Sequence, residues 1–213
     1  NRLSCRSYGC SMYRIQEYNQ TLDLDDFYRL AHDRKFYNND SKEKVVDTWK
    51  HMDRWQVWFL YFDDQIVGSI AAHSLEELGV LGDAYRIAAR TCTFDDLTKQ
   101  RTSLRTANTI IAKHQNLTAQ FLLPLCIEWA GKDKDLYISS NENDTGTQKY
   151  VHRLYCPGLR KIGILEDPVD LEYRRAIQSF WRLNVGEFYN QMENYWWDEA
   201  RAALDAYRAS SAV

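Results

Sequence analysis

The side chains with chemistry to offer are scattered along this chain. Five cysteines, Cys5, Cys10, Cys92, Cys126 and Cys156, lack the paired spacing that a tetrahedral metal site needs. Cys5 and Cys10 sit near one another, but no second Cys or His pair completes a ligand set. No nucleophile–His–acid constellation and no P-loop can be read. His73 closes a strand-like run, where an imidazole can titrate near neutral pH; a lone histidine serves as readily as a structural residue. Lys99, Arg101, Arg105 and Lys113 concentrate in one polar stretch. They are either a solvated loop or a source of positive charge for an anionic ligand.

The elements that must position these groups belong to a chain of ordinary globular make-up. It has 213 residues, 45% hydrophobic and 27% charged, enough to bury the core of one domain. Its aromatic content is high, with 7 Trp, 14 Tyr and 8 Phe, which suits a thick core or an oligomer contact. A formal net charge of −3 gives no whole-molecule attraction to nucleic acid or to an anionic membrane. No apolar run approaches the ~20 residues of a membrane-spanning helix, and the expectation is a cytoplasmic protein with reduced thiols.

Residues 1–11 lack periodicity and read as a leader or mobile arm. A strand opens at Met12. Residues 24–31 and a segment capped by Ser41, with Val45, Trp49 and Met52 on one face, carry helical spacing. Trp55–Phe62 and Ile66–Ala72 flank a polar turn and predict a hairpin; Tyr85–Phe94 predicts another strand. Residues 95–113 form a long polar connection. Residues 121–130 (FLLPLCIEWA) read as a buried helix in which Pro124 must occupy the first turn or make a kink. Leu136–Ser139 predicts a strand, Thr145–Ile162 a helix interrupted near Pro157 and Gly158, and 173–183 one extended segment. Asn184, with Glu187 three residues on, can cap a terminal amphipathic helix. Its aromatic stripe either packs on its own domain or offers a partner or self-association surface.

Three segments in this order resemble the GNAT acetyltransferases. Residues 58–70 (WFLYFDDQIVGSI) look like the family's second and third strands. Residues 121–130 resemble the helix after its cofactor loop, and 159–164 (LRKIGI) its late "Tyr-x-Lys-x-Gly-Phe" ending. The resemblance implies an α/β (α+β) fold over residues 12–183, a mixed and mostly antiparallel sheet flanked by helices, with 184–213 as a C-terminal helix.

It also implies an activity: transfer of an acetyl or other acyl group from acetyl-CoA, or a related acyl-CoA, to a small-molecule or peptide amine. The family's Gln/Arg-x-x-Gly-x-Gly/Ala loop holds the cofactor diphosphate on backbone N–H groups at a helix start. Register places His114, Gln115, Asn116, Leu117, Thr118 and Ala119 on that loop, with Lys113 beside it. Ala119 satisfies its last position; His114 and Leu117 replace Gln/Arg and Gly. The family's proton-donating Tyr position is occupied by Leu159. Tyr155, one turn earlier, can donate from a shifted place or simply pack. His73 is the titratable group the resemblance sets nearest the cleft. The replacements keep a second reading open, a GNAT-like binding or assembly module without catalysis.

Overall fold

The computed structural model describes residues 13–18, 54–62, 64–91, 117–143, 149, 151–194 and 196–211, with helical positions 25, 43, 44, 47 and 50. The expectations for residues 1–11, for the face of Val45, Trp49 and Met52 and for the basic stretch 95–113 lie outside the described residues.

Seven strands make one sheet in the order β1-β2-β3-β4-β5-β7-β6. Strands β1 (Tyr13–Glu17), β2 (Trp55–Phe62), β3 (Gln65–Ser74) and β4 (Tyr85–Thr91) pair antiparallel in sequence. The β2–β3 hairpin forms where the two apolar runs and their polar turn predict it. Strand β5 (Leu136–Ser140) then lies parallel to β4. The hairpin of β6 (Val169–Tyr173) and β7 (Ala176–Arg182) completes the sheet, β7 antiparallel to β5.

Alternation along the strands separates two faces. One carries Trp58, Leu60, Ile70, Ala72, Tyr85, Ile87, Leu136 and Trp181, all buried in the main core beneath the helices. Helices α1 (Leu117–Phe121) and α2 (Leu123–Ala130) follow one another with a break at Leu122. Pro124 explains the break: it stands in the first turn of α2, where a missing N–H costs least.

The late helix corrects an expectation. The chain stays helical through Pro157 and Gly158. The change lies earlier, where a π-helical turn over Val151–Tyr155 gives way to α3 (Cys156–Lys161), with Pro157 in its first turn. Gly163 follows at φ 84°, the left-handed geometry that ends a helix and suits glycine.

The segment 173–183 is likewise two strands' worth of chain: Tyr173 ends β6 and a turn precedes β7. Arg174 (φ 51°) and Arg175 (φ 65°) make that turn, and two arginines give no turn signal because Asn-Gly or Asp-Gly is usual there.

The tail is two helices, α4 (Val185–Glu193) and α5 (Asp198–Ser211). Asn184 caps α4 as expected, its Oδ1 accepting from the Glu187 N–H at 3.0 Å. Both helices feed the main core: Phe188, Met192, Trp197, Ala200, Ala203 and Leu204 are buried in it. The Trp196 indole N–H donates to the Gln120 carbonyl (3.1 Å) and the Trp197 backbone N–H to Gln120 Oε1 (3.2 Å). The aromatic stripe is thus packed against the chain's own α1. No helix among the described residues is long and apolar enough to cross a membrane.

Candidate active site

The feature that sets this sheet apart is where its one parallel ladder stops. Strands β4 and β5 pair at Tyr85↔Leu136, Arg86↔Tyr137 and Ile87↔Ile138. Beyond that, β4 continues to Thr91 alongside β3, and β5 continues to Ser140 alongside β7. The strands part at their carboxyl ends, leaving facing backbone edges without a ladder partner in each other. At the opposite end ion pairs join β4 to β5 and β5 to β7. Lys134, just before β5, pairs with Asp83, just before β4, and Arg182 pairs with Asp135 at 2.7 Å. Such exposed pairs contribute at most about 1 kcal/mol each, yet they lie at the closed end. A crevice at the carboxyl ends of parallel strands is where α/β sheets bind ligands.

On the helix-covered side of this crevice, buried Ser140 accepts from the Trp181 indole N–H at 2.9 Å, and its Oγ lies 2.9 Å from His152 Nδ1. A hydroxyl so placed can relay a proton to or from the imidazole. Tyr155 is half-buried against the main core from the π turn that also carries His152. Sequence reasoning missed Ser140 and His152. One ends a short strand and the other opens a helix, with no spacing to join them, although a polar Ser-Ser closing a buried strand was the available hint.

The other face carries a different set. Cross-strand register aligns Trp55, His73, Arg86, Tyr137 and Arg182 in one row. Arg86 Nε donates to Ser139 Oγ at 2.5 Å, spanning the place where β4 and β5 separate. His73 is 4% exposed, and its Nδ1 lies 3.0 Å from the Ser74 carbonyl. Because a carbonyl only accepts, Nδ1 carries the proton and Nε2 is left with a lone pair. Nε2 is buried without a hydrogen-bond partner. Burial, then the Arg86 charge, with a smaller contribution from Arg174, hold the His73 pKa down at about 4. The Tyr173 hydroxyl is pushed above its ordinary value, chiefly by burial.

Of the residues singled out from sequence, His73 and Tyr155 lie on opposite faces. Lys113, His114, Gln115 and Asn116 lie outside the described residues. Leu117, Thr118 and Ala119 form the first turn of α1, so the segment assigned to the diphosphate does lead into a helix. Cys126 and Cys156 are buried, and burial raises both thiols, Cys156 to about 12, which leaves them unreactive at neutral pH. No cluster of three or more metal-ligating side chains occurs among the described residues.

No protein-family model and no curated protein matches the sequence. Similar solved structures are found. An uncharacterized protein from Bacillus halodurans superposes over 89% of this chain and 91% of that one, with a TM-score of 0.52 at 13% identity. A GNAT-family acetyltransferase from Streptococcus pneumoniae covers 80% of this chain and 96% of its own (TM-score 0.42, 16% identity). One from Elizabethkingia anophelis with acetyl-CoA bound covers 80% and 97% (TM-score 0.41, 11% identity). At such identities the likeness is one of fold. The chain has an α+β fold with a mixed, mostly antiparallel sheet flanked by helices, the fold class that the resemblance implied, and shares its fold with the Bacillus halodurans protein.

Proposed function

We propose that this protein is an N-acyltransferase that passes an acyl group from a CoA thioester to an amine. The observation that carries the reading is the parting of β4 and β5 after Ile87↔Ile138. An open backbone edge offers N–H and C=O groups in the alternation that an amide-bearing arm can pair with, so the crevice fits such a donor. Lys113–Ala119, leading into α1, is assigned to the diphosphate, with Lys113 supplying charge.

The thioester supplies the activated carbonyl. The protein's part is to hold the amine beside it and to meet the developing oxyanion with a β4 N–H. The amine nitrogen bonds to the carbonyl carbon, the C–S bond breaks, the amine gives up a proton and the thiolate takes one. Tyr155, or water, donates to the thiolate. Ser140 and His152 form a relay near the same end of β5. His73, with its pKa held near 4, is a neutral acceptor at pH 7 and orients an N–H; it is too weak a base to deprotonate an ammonium.

Calorimetric titration of the full chain with CoA and with acetyl-CoA tests the reading. Micromolar to low-millimolar binding of both is expected, and absence of binding at millimolar concentration overturns it. Where turnover is measured, Tyr155→Phe is expected to lower kcat with little change in KM.

A further inference from the structure

The face of the sheet opposite α1–α5 carries polar groups that the transfer chemistry alone does not call for. The tight β6–β7 turn brings the hairpin tip over the row of His73 and Arg86. The Arg174 guanidinium lies 4.9 Å and that of Arg86 5.9 Å from the centre of the Tyr173 ring. Tyr173 packs in a small buried cluster with Leu75, Ala84, Tyr137 and Phe180. Both guanidiniums act electrostatically on His73, so the four side chains share one neighbourhood. Arg174 forms no ion pair among the described residues. Glu77 adds one carboxylate beside the Tyr173 hydroxyl.

His73 and Arg174 are incomplete in complementary ways. His73 Nε2 is a buried lone pair with nothing donating to it, and leaving such an acceptor unsatisfied costs about 1–3 kcal/mol. A donor N–H is what it lacks. The Arg174 guanidinium offers a planar fork that matches a carboxylate, and Arg86 is anchored through Ser139 directly below the place where the crevice opens. A ligand that satisfies both has an N–H at one point and a carboxylate a few ångströms away.

We propose that the acceptor is an amine bearing a nearby carboxylate, of the α-amino acid type, with its carboxylate on Arg174 and its amine directed at His73 Nε2. This deepens the acyltransferase reading and rests on it for the word acceptor. The binding site itself stands on the geometry above. His73 is here a positioning residue: it fixes the tautomer and direction of one hydrogen bond, and the proton released in transfer goes elsewhere.

The experiment is a calorimetric binding series on the full chain, with and without CoA, using the twenty L-amino acids and their α-carboxamides as matched pairs. At least one acid is expected to bind ten-fold or more tightly than its amide. Arg174→Asn is expected to abolish that preference while leaving thermal stability unchanged or raised, because Asn accepts the left-handed turn conformation more readily than Arg. Arg175→Gly, which relaxes the same turn, is expected to keep the preference. Equal affinity for acids and amides, no binding of any acid, or a preference that survives Arg174→Asn would each overturn the proposal. CoA binding without a carboxylate preference refutes the acceptor class and leaves acyl transfer standing. A carboxylate preference without CoA binding keeps the site and removes acyl transfer.

Discussion

On the face beneath α1–α5, several polar groups are tied into the fold. Gln120 accepts from Trp196 and Trp197, Ser140 from Trp181, and the Tyr207 hydroxyl accepts from Trp58 while donating to Glu17. On the second face, His73 keeps a buried lone pair without a donor, and the Arg86 and Arg174 charges act on it. Polar groups on the first face hold the tail helices and β1 to the sheet. On the second, His73 Nε2 has no donor among the described residues. The distinction is energetic as well as geometric, because a satisfied buried bond contributes about 1 kcal/mol whereas an orphaned acceptor subtracts more.

The sharpest way to break this contrast is to empty the packed face. Phe121 is fully buried against Tyr13 and Trp197; Phe121→Ala is expected to cost about 3–5 kcal/mol, read from urea midpoints. A cost below about 1 kcal/mol would mean that α1 does not anchor the tail.

The second face has a pH signature. A His73 pKa lowered from 6.5 to about 4 means that the unfolded chain takes up a proton first as pH falls. Stability is therefore complete above about 6.5 and is lost as pH drops through 4. By pH 4 the loss is roughly 3 kcal/mol, at 1.36 kcal/mol for each factor of ten. His73→Gln should remove that part of the acid sensitivity, seen as a smaller difference between denaturation midpoints at pH 7 and pH 4. An unchanged difference would place His73 in a wetter setting than the structure gives it.

Smaller effects refine the comparison. Gln120→Ala strips the Trp197 N–H of its acceptor and is expected to cost about 1–3 kcal/mol. Tyr207→Phe removes the hydroxyl between Trp58 and Glu17, for about 1 kcal/mol. Arg175→Gly, at φ 65°, should stabilise by about 0.5–1 kcal/mol, since the left-handed conformation costs a residue with a Cβ roughly 1–2 kcal/mol. Thermal melts check all three.

Much of the fold was legible because hydrophobic period and turn residues act locally. The apolar runs at 55–62 and 66–72 could only pair across their polar turn, and Asn184 with Glu187 announced a cap that forms as written. What local signals could not reach was decided by packing. The turn at Arg174 and Arg175 has no favoured residue; strand pairing between β6 and β7 forces it. The tail reads as one amphipathic helix but is divided after Glu193, where Trp196 and Trp197 turn in toward Gln120.

The site divides in the same way. The residue order by itself determined the class of fold, the absence of metal-ligand and P-loop spacing, and the candidacy of His73, Tyr155 and the segment Lys113–Ala119. Only the tertiary structure separated His73 from Tyr155 onto opposite faces, joined Ser140 to His152, and brought Arg86 and Arg174 to the Tyr173 ring. Register explains why: neighbours across a sheet are set by which strands pair and at what offset, and that depends on the whole chain's burial. The spacing of any two residues along the sequence does not contain it.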